Sequence, residues 1–233
     1  MKNTTEWSVG FDLEYNNITS NKAPGLNEYE KSCFLSQAQE SVMLQLYNGS
    51  ARESFEGSEE LTKYLSSLVK QTVISATESN LPHIVEGSSI FKLPANLLFR
   101  TYEDCKLTDD ITTVLNVSVV PITQDNFWRI FRDPFKTANR RRVLRLTYAS
   151  NSTENGVLSE NEYSELVSSY PIQEYKVRYI EKPSPIILTD LTGTGLSVEG
   201  EVLPKTCMLP EILHQTILTE AVRLAKSVWS SNN

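Results

Sequence analysis

The residues able to do chemistry in this 233-residue chain gather in a few places. Seven cations, Arg129, Arg132, Lys136, Arg140, Arg141, Arg142 and Arg145, fall in one stretch, interleaved with Phe127, Trp128, Phe131 and Phe135. Guanidinium groups beside aromatic rings can face a phosphate backbone or pair with carboxylates across a subunit interface. With their stems laid over apolar surface they are also an ordinary solvated loop. An acidic run, Glu53, Glu56, Glu59 and Glu60, is the complementary feature. It could meet the basic stretch of a neighbouring copy, and head-to-tail contacts of that kind close into rings when the rotation allows. A charge run is more commonly just a wet surface.

Other constellations are weaker. Glu103-Asp104 and Asp109-Asp110 are carboxylate pairs, but acid–base work needs one member buried and shifted. Their neighbours Lys106, Thr108 and Thr112 predict exposure. Cys33, Cys105 and Cys207 are odd in number, far apart and form no CxxC, so they read as reduced, small apolar groups. His83 and His214 stand in no HExxH or HxH frame, no GxSxG elbow presents a serine, and Gly193-Thr-Gly195 is too short to cradle a phosphate. No cofactor or metal is expected.

The charge balance sharpens this. There are 29 acidic against 22 basic residues, a net charge of −7, which argues against a free nucleic-acid binder with a wholly basic surface. At 39 % apolar and 22 % charged the chain has a globular composition. No run reaches the ~18 apolar residues a membrane span needs. No apolar leader lies within residues 1–14, so the Asn-x-Ser/Thr triplets at Asn3, Asn17, Asn48, Asn116 and Asn151 read as chance, and a reducing cytoplasm is expected during assembly.

The elements that must position these residues follow from periodicity. Residues 1–25 end at Ala23-Pro24-Gly25, and Trp7, Val9, Phe11, Leu13 and Tyr15 alternate before it. This predicts an extended arm that docks, through Trp7 and Phe11, on its own domain or on a neighbour. Asn27 caps a helix carrying Phe34, Leu35, Ala38, Val42 and Leu46 at 3.6-type spacing and stopped by Asn48-Gly49. Ser58-Glu-Glu-Leu61 opens a second helix through Leu61, Leu65, Leu68 and Val69, fraying toward Ala76. From residue 83 the period falls to 2. Short runs at 89–93 and 97–102, then strands at 115–120, 142–148, 164–170 and 175–180, enclose one short helix at 122–132. Residues 189–206 read as an exposed Gly/Thr loop, and Pro210 opens a long final helix. Strands that follow one another without long helical crossovers predict a mostly antiparallel sheet. The fold class is α+β, with N-terminal helices, one short inserted helix and a long C-terminal helix, residues 26–233 forming a single domain.

Three segments resemble a structural protein family of crAss-like bacteriophages. They are Phe11-Asp-Leu-Glu-Tyr15 with Ala23-Pro-Gly-Leu-Asn-Glu-Tyr-Glu30, Tyr175-Lys-Val-Arg-Tyr-Ile-Glu-Lys-Pro-Ser-Pro-Ile-Ile-Leu188, and Cys207-Met-Leu-Pro-Glu-Ile-Leu-His214 with Glu220-Ala-Val-Arg-Leu-Ala-Lys226. These are packing and turn residues and mark a family, not a chemistry. The resemblance implies a non-enzymatic head-to-tail connector or adaptor of the virion portal vertex. It implies a homo-oligomeric ring of about twelve copies that touches the portal and neighbouring ring or tail proteins, with genome double-stranded DNA passing through its lumen. The first ring, against the portal, is the preferred position. Two rival readings stand beside it: a nucleic-acid-binding module using residues 129–145 with Trp128 and Phe131, and a small hydrolase using Asp109, Asp110 or His214.

Overall fold

A computed structural model of the chain describes residues 2–18, 25–49, 63–76, 83–108, 114–154 and 157–231. It has the expected class: helices, a seven-stranded sheet and a long C-terminal helix. The fold groups into two compact units. Residues 70–181 form one, inserted in sequence between residues 1–69 and 182–233, which form the other.

In the helical unit, residues Thr4–Ile18 form helix α1 where an extended arm was expected. Alternation and helix periodicity coincide here. Trp7, Phe11 and Tyr15 recur every four residues and are all buried, while the intervening Val9 and Leu13 are exposed. The start is fixed by a reciprocal capping box: the Glu6 amide donates to Asn3 Oδ1 and the Asn3 amide to Glu6 Oε2, both at 2.8 Å. Asn27 and Glu30 repeat the device at the head of helix α2, Glu28–Gly49. Lys31, 4 % exposed, joins the two helices through Asp12 at 2.7 Å and Glu28 at 3.0 Å. Burial pushes its amine down, but the bonds from Asp12 and Glu28 outweigh that and hold it above the usual lysine range.

Helix α2 turns a polar stripe inward. Ser36 Oγ accepts the Ile186 amide at 2.9 Å, Ser32 Oγ accepts the Leu188 amide at 3.0 Å, and Gln39 Nε2 donates to the Ser184 carbonyl at 2.8 Å. In the extended segment after Pro183, Ile187 bridges to Lys205, and these side chains satisfy the backbone groups of Ser184, Ile186 and Leu188. The loop at 189–206 is more ordered than its composition suggests. Leu191 and Val198 are buried, and Ile187 pairs with Lys205. Val198 and Glu201 flank a two-residue turn in which Glu199 and Gly200 both take positive φ, 52° and 82°. That is the twist such tight turns require. Residues Glu211–Leu213 make a 3₁₀ turn and lead into the final helix, His214–Ser231. Its Ile217, Leu218, Ala221, Val222 and Ala225 are buried.

The sheet unit contains β1 (Val69–Ile74), β2 (Ser89–Lys92), β3 (Leu97–Thr108), β4 (Val114–Pro121), β5 (Arg142–Glu154), β6 (Val157–Val167) and β7 (Ile172–Glu181), with a five-residue helix, Phe127–Phe131, between β4 and β5. Strand order is β1-β7-β3-β4-β5-β6-β2. Of the second predicted helix, residues 63–65 are helical and tighten into a 3₁₀ turn, Ser66–Leu68, where strand β1 replaces the expected continuation toward Ala76; the proposed start at Ser58 lies outside the described residues. Val69, Thr72, Val73 and Ile74 are β-branched and favour the strand. The pairs β2–β6, β3–β4, β3–β7 and β5–β6 are antiparallel, whereas β4–β5 is parallel. The inserted helix supplies the crossover a parallel pair needs.

The sheet curls. Phe91 of β2 and Tyr175 of β7 have four strands between them in the order, yet their rings lie 5.0 Å apart. Inside the curl, Leu107, Val117, Val143, Leu166 and Val177 form the core. A second core, on the other face of β5 and β6, is Leu144, Leu146 and Val167 under Phe127 and Ala138.

Candidate interaction surface

The basic stretch divides in two. Arg145 is not at the surface. Its side chain is 11 % exposed and its Nη1 donates to both oxygens of Glu103, at 2.6 and 2.7 Å, inside the curl. Glu103, expected to be exposed, is 8 % exposed and also accepts the Tyr175 hydroxyl. Arg100 Nε lies 3.8 Å from the same carboxylate, and Arg100 pairs through its other end with Glu162. Burial, together with the Glu103 charge, pushes the Tyr175 phenol well above its usual range. Arg145 of β5 reaches Glu103 of β3 across β4, a neighbour relation that no local spacing reveals. Arg142 is half-buried and internally used as well: its Nη1 donates to the Phe135 and Lys136 carbonyls at 3.3 and 3.1 Å.

Arg129, Arg132, Lys136, Arg140 and Arg141 are exposed. The inserted helix carries the first two. It is seated by Phe127, which is fully buried and stacks on Phe131 at 5.4 Å. Trp128 sets its edge against Phe127 and Phe131 and leaves 52 % of its surface to solvent, with the Arg132 guanidinium 5.9 Å from its ring. The turn that follows is held by its own side chains. Asp133 Oδ1 accepts the Phe135 amide at 2.9 Å, Asn139 Oδ1 accepts the Arg141 amide at 2.8 Å, and Arg142 ties down two carbonyls. This turn presents Phe135, which at 86 % is the most exposed large apolar residue described. The result is a braced aromatic and cationic knob with two carboxylates, Asp125 and Asp133, in its sequence. Hydrogen bonds from Thr123 and nearby amides keep the Asp125 carboxyl below the usual range, so it stays ionised.

The other predicted contact residues separate cleanly. Trp7 and Phe11 are fully buried in the helical unit, Trp7 against the His214 ring at 4.9 Å, so the N-terminal segment docks on its own domain through them. Glu53, Glu56, Glu59 and Glu60 lie outside the described residues, as do Asp109 and Asp110. His214 is 1 % exposed, faces the Leu209 carbonyl through Nε2 at 3.2 Å, and is held below its usual range chiefly by burial.

One grouping superficially resembles hydrolytic machinery and was not foreseen. Ser88 Oγ donates to the buried Glu165 Oε1 at 2.5 Å, and His83 Nδ1 lies 2.9 Å from the same hydroxyl. Nucleophilic catalysis needs the imidazole between hydroxyl and carboxylate. Here the serine is in the middle and gives its proton to the acid, while the Ile84 amide donates to the same oxygen at 2.8 Å. The arrangement fixes the loop before β2. Among the described residues no three His, Cys, Asp or Glu gather as metal ligands, and no helix is long and apolar enough to cross a membrane.

The family model described as phage tail ring protein 3/4 matches residues 1–232, and the chain belongs to that family. It is 36 % identical over 226 residues to Ring protein 3 of Bacteroides phage crAss001, covering 94 % of this chain and 93 % of that one. It is 30 % identical over 239 aligned positions to Ring protein 4/5 of the same phage, covering 99 % and 94 %. The chain is therefore a structural ring protein of the phage tail region and a component of the virion.

Proposed function

We propose that the chain is a non-enzymatic connector: a closed ring of about twelve copies, placed between portal and tail, with genome DNA passing through its lumen. The observation that carries this reading is likeness over nearly the whole chain to two ring proteins of one phage. The relatives' names, Ring protein 3 and Ring protein 4/5, support a later ring in the stack over the first one against the portal. The net charge of −7 suits a channel wall, since repulsion from phosphate keeps DNA from adhering as it slides. Assembly proceeds by multivalency: weak subunit contacts become strong once a ring closes on a symmetric partner. Assembly takes place in the host cytoplasm.

The test is the mass of the purified chain alone and with portal and neighbouring ring proteins. A defined multimer, formed alone or on addition of those partners, is expected. A monomer under every condition, or a monomer that turns over a substrate, refutes the reading. The nucleic-acid reading is separated by titrating salt against duplex DNA, where binding that falls steeply with salt would favour it.

A further inference from the structure

We propose that the aromatic–cationic knob formed by the inserted helix and the turn at 133–141 is a socket for the acidic segment 52–60 of a second copy of this chain. The inference deepens the ring reading and rests on it. A ring built from identical subunits needs two unlike faces that fit each other. The knob offers five exposed cations against the two carboxylates Asp125 and Asp133. Residues 52–60 carry four carboxylates against the single Arg52, with Phe55 among them. The charges are opposite and equal in excess, and each side has an aromatic centre.

The knob's construction argues for a protein partner. Phe135 is 86 % exposed on a turn whose backbone is braced by Asp133, Asn139 and Arg142, so the main chain that carries the ring has little freedom left to lose on binding. Exposed Trp, Phe and Arg are residue types enriched at protein interfaces. A duplex would meet a short cationic strip interrupted by two carboxylates on a chain of net charge −7, and would be repelled by the remainder. Arg142 and Arg145 belong to no such strip, since both are committed internally.

The experiment has two arms. In the first, a fluorescein-labelled peptide of residues 50–62 is titrated by anisotropy into full-length chain whose own segment is neutralised (Glu53→Gln, Glu56→Gln, Glu59→Gln, Glu60→Gln), at about 20 mM salt. Binding is expected, weakened roughly tenfold or more by Arg140→Glu with Arg141→Glu, by Phe135→Ser, and by raised salt. Both sets of substitutions lie on exposed side chains, and an unchanged thermal transition confirms the fold. This arm needs no ring, so its failure overturns the socket while leaving the ring reading intact. In the second arm, a photo-crosslinker at Phe55 is placed in a mixture of isotope-labelled and unlabelled chains under assembling conditions. Hybrid crosslinks to residues 127–141 are expected. Absence of peptide binding, crosslinks confined to single chains, or displacement of the peptide by an equal charge concentration of duplex DNA would each overturn the proposal.

Discussion

Replacing Arg145 with Met should destabilise the sheet unit, not merely weaken assembly. Arg145 lies 2.6 Å from Glu103, with side-chain exposures of 11 % and 8 %. Removing one partner of a buried pair strands the other, at about 3–5 kcal/mol. Arg100 stays 3.8 Å from Glu103 and Tyr175 still donates to it, so the lower end applies, about 3 kcal/mol. For a chain of this size each kcal/mol moves the thermal midpoint by about 2–4 °C, which gives a fall of roughly 6–12 °C. Scanning calorimetry of the purified protein reads this directly. A double-mutant cycle adds the discriminating control. Arg145→Met combined with Glu103→Gln should recover part of the loss, because the amide oxygen still accepts the Tyr175 hydroxyl and no lone carboxylate remains buried. A midpoint within about 1 °C of the parent for Arg145→Met would mean that the arginine is a surface contact residue after all, and the network account would fall.

Three further outcomes are expected. Trp7→Ala removes a fully buried indole packed on His214 and should cost about 3–5 kcal/mol in urea denaturation, where a neighbour-docking arm would leave the monomer's stability unchanged. Because burial lowers the His214 pKa from 6.5, the unfolded chain binds its proton more readily. The stability this contributes is fully present above pH 6.5 and lost as pH falls below it, so the urea midpoint should drop between about pH 7.5 and about pH 5, and less in His214→Gln. A Cβ at Gly200 would meet open space, but φ is +82°, so Gly200→Ala should cost about 1 kcal/mol by backbone strain alone; no change in midpoint would mean that the turn re-forms with another geometry.

Much of the fold could be read from local pattern. Helix α2 announced itself through Asn27 and its apolar stripe, and β4, β7 and the final helix through their clean periods, because each buries one face of a regular element. The N-terminal helix was misread because Trp7, Phe11 and Tyr15 fit a four-residue repeat and a two-residue one at once; the Asn3–Glu6 capping box was the signal that separates them. Strand β1 was misread because Leu65 and Leu68 extend a helical spacing into a β-branched run. At the surface, composition located the basic stretch but not its division. Whether an arginine faces solvent or a carboxylate two strands away depends on strand order, and the Arg145–Glu103 pair is created only when β4 is laid between β5 and β3. The curl that brings Tyr175 to the same carboxylate is likewise a property of the whole sheet.

A symmetry-resolved image reconstruction of the intact virion, with this chain's fold fitted to the density between portal and tail, bears on the ring assignment more directly than any solution assay. The account predicts a closed ring at that level, its curled sheets and helical units repeated around the channel that holds the DNA. Density for the chain found only in the capsid shell or the tail tip, or no density for it at all in infectious particles, would contradict it.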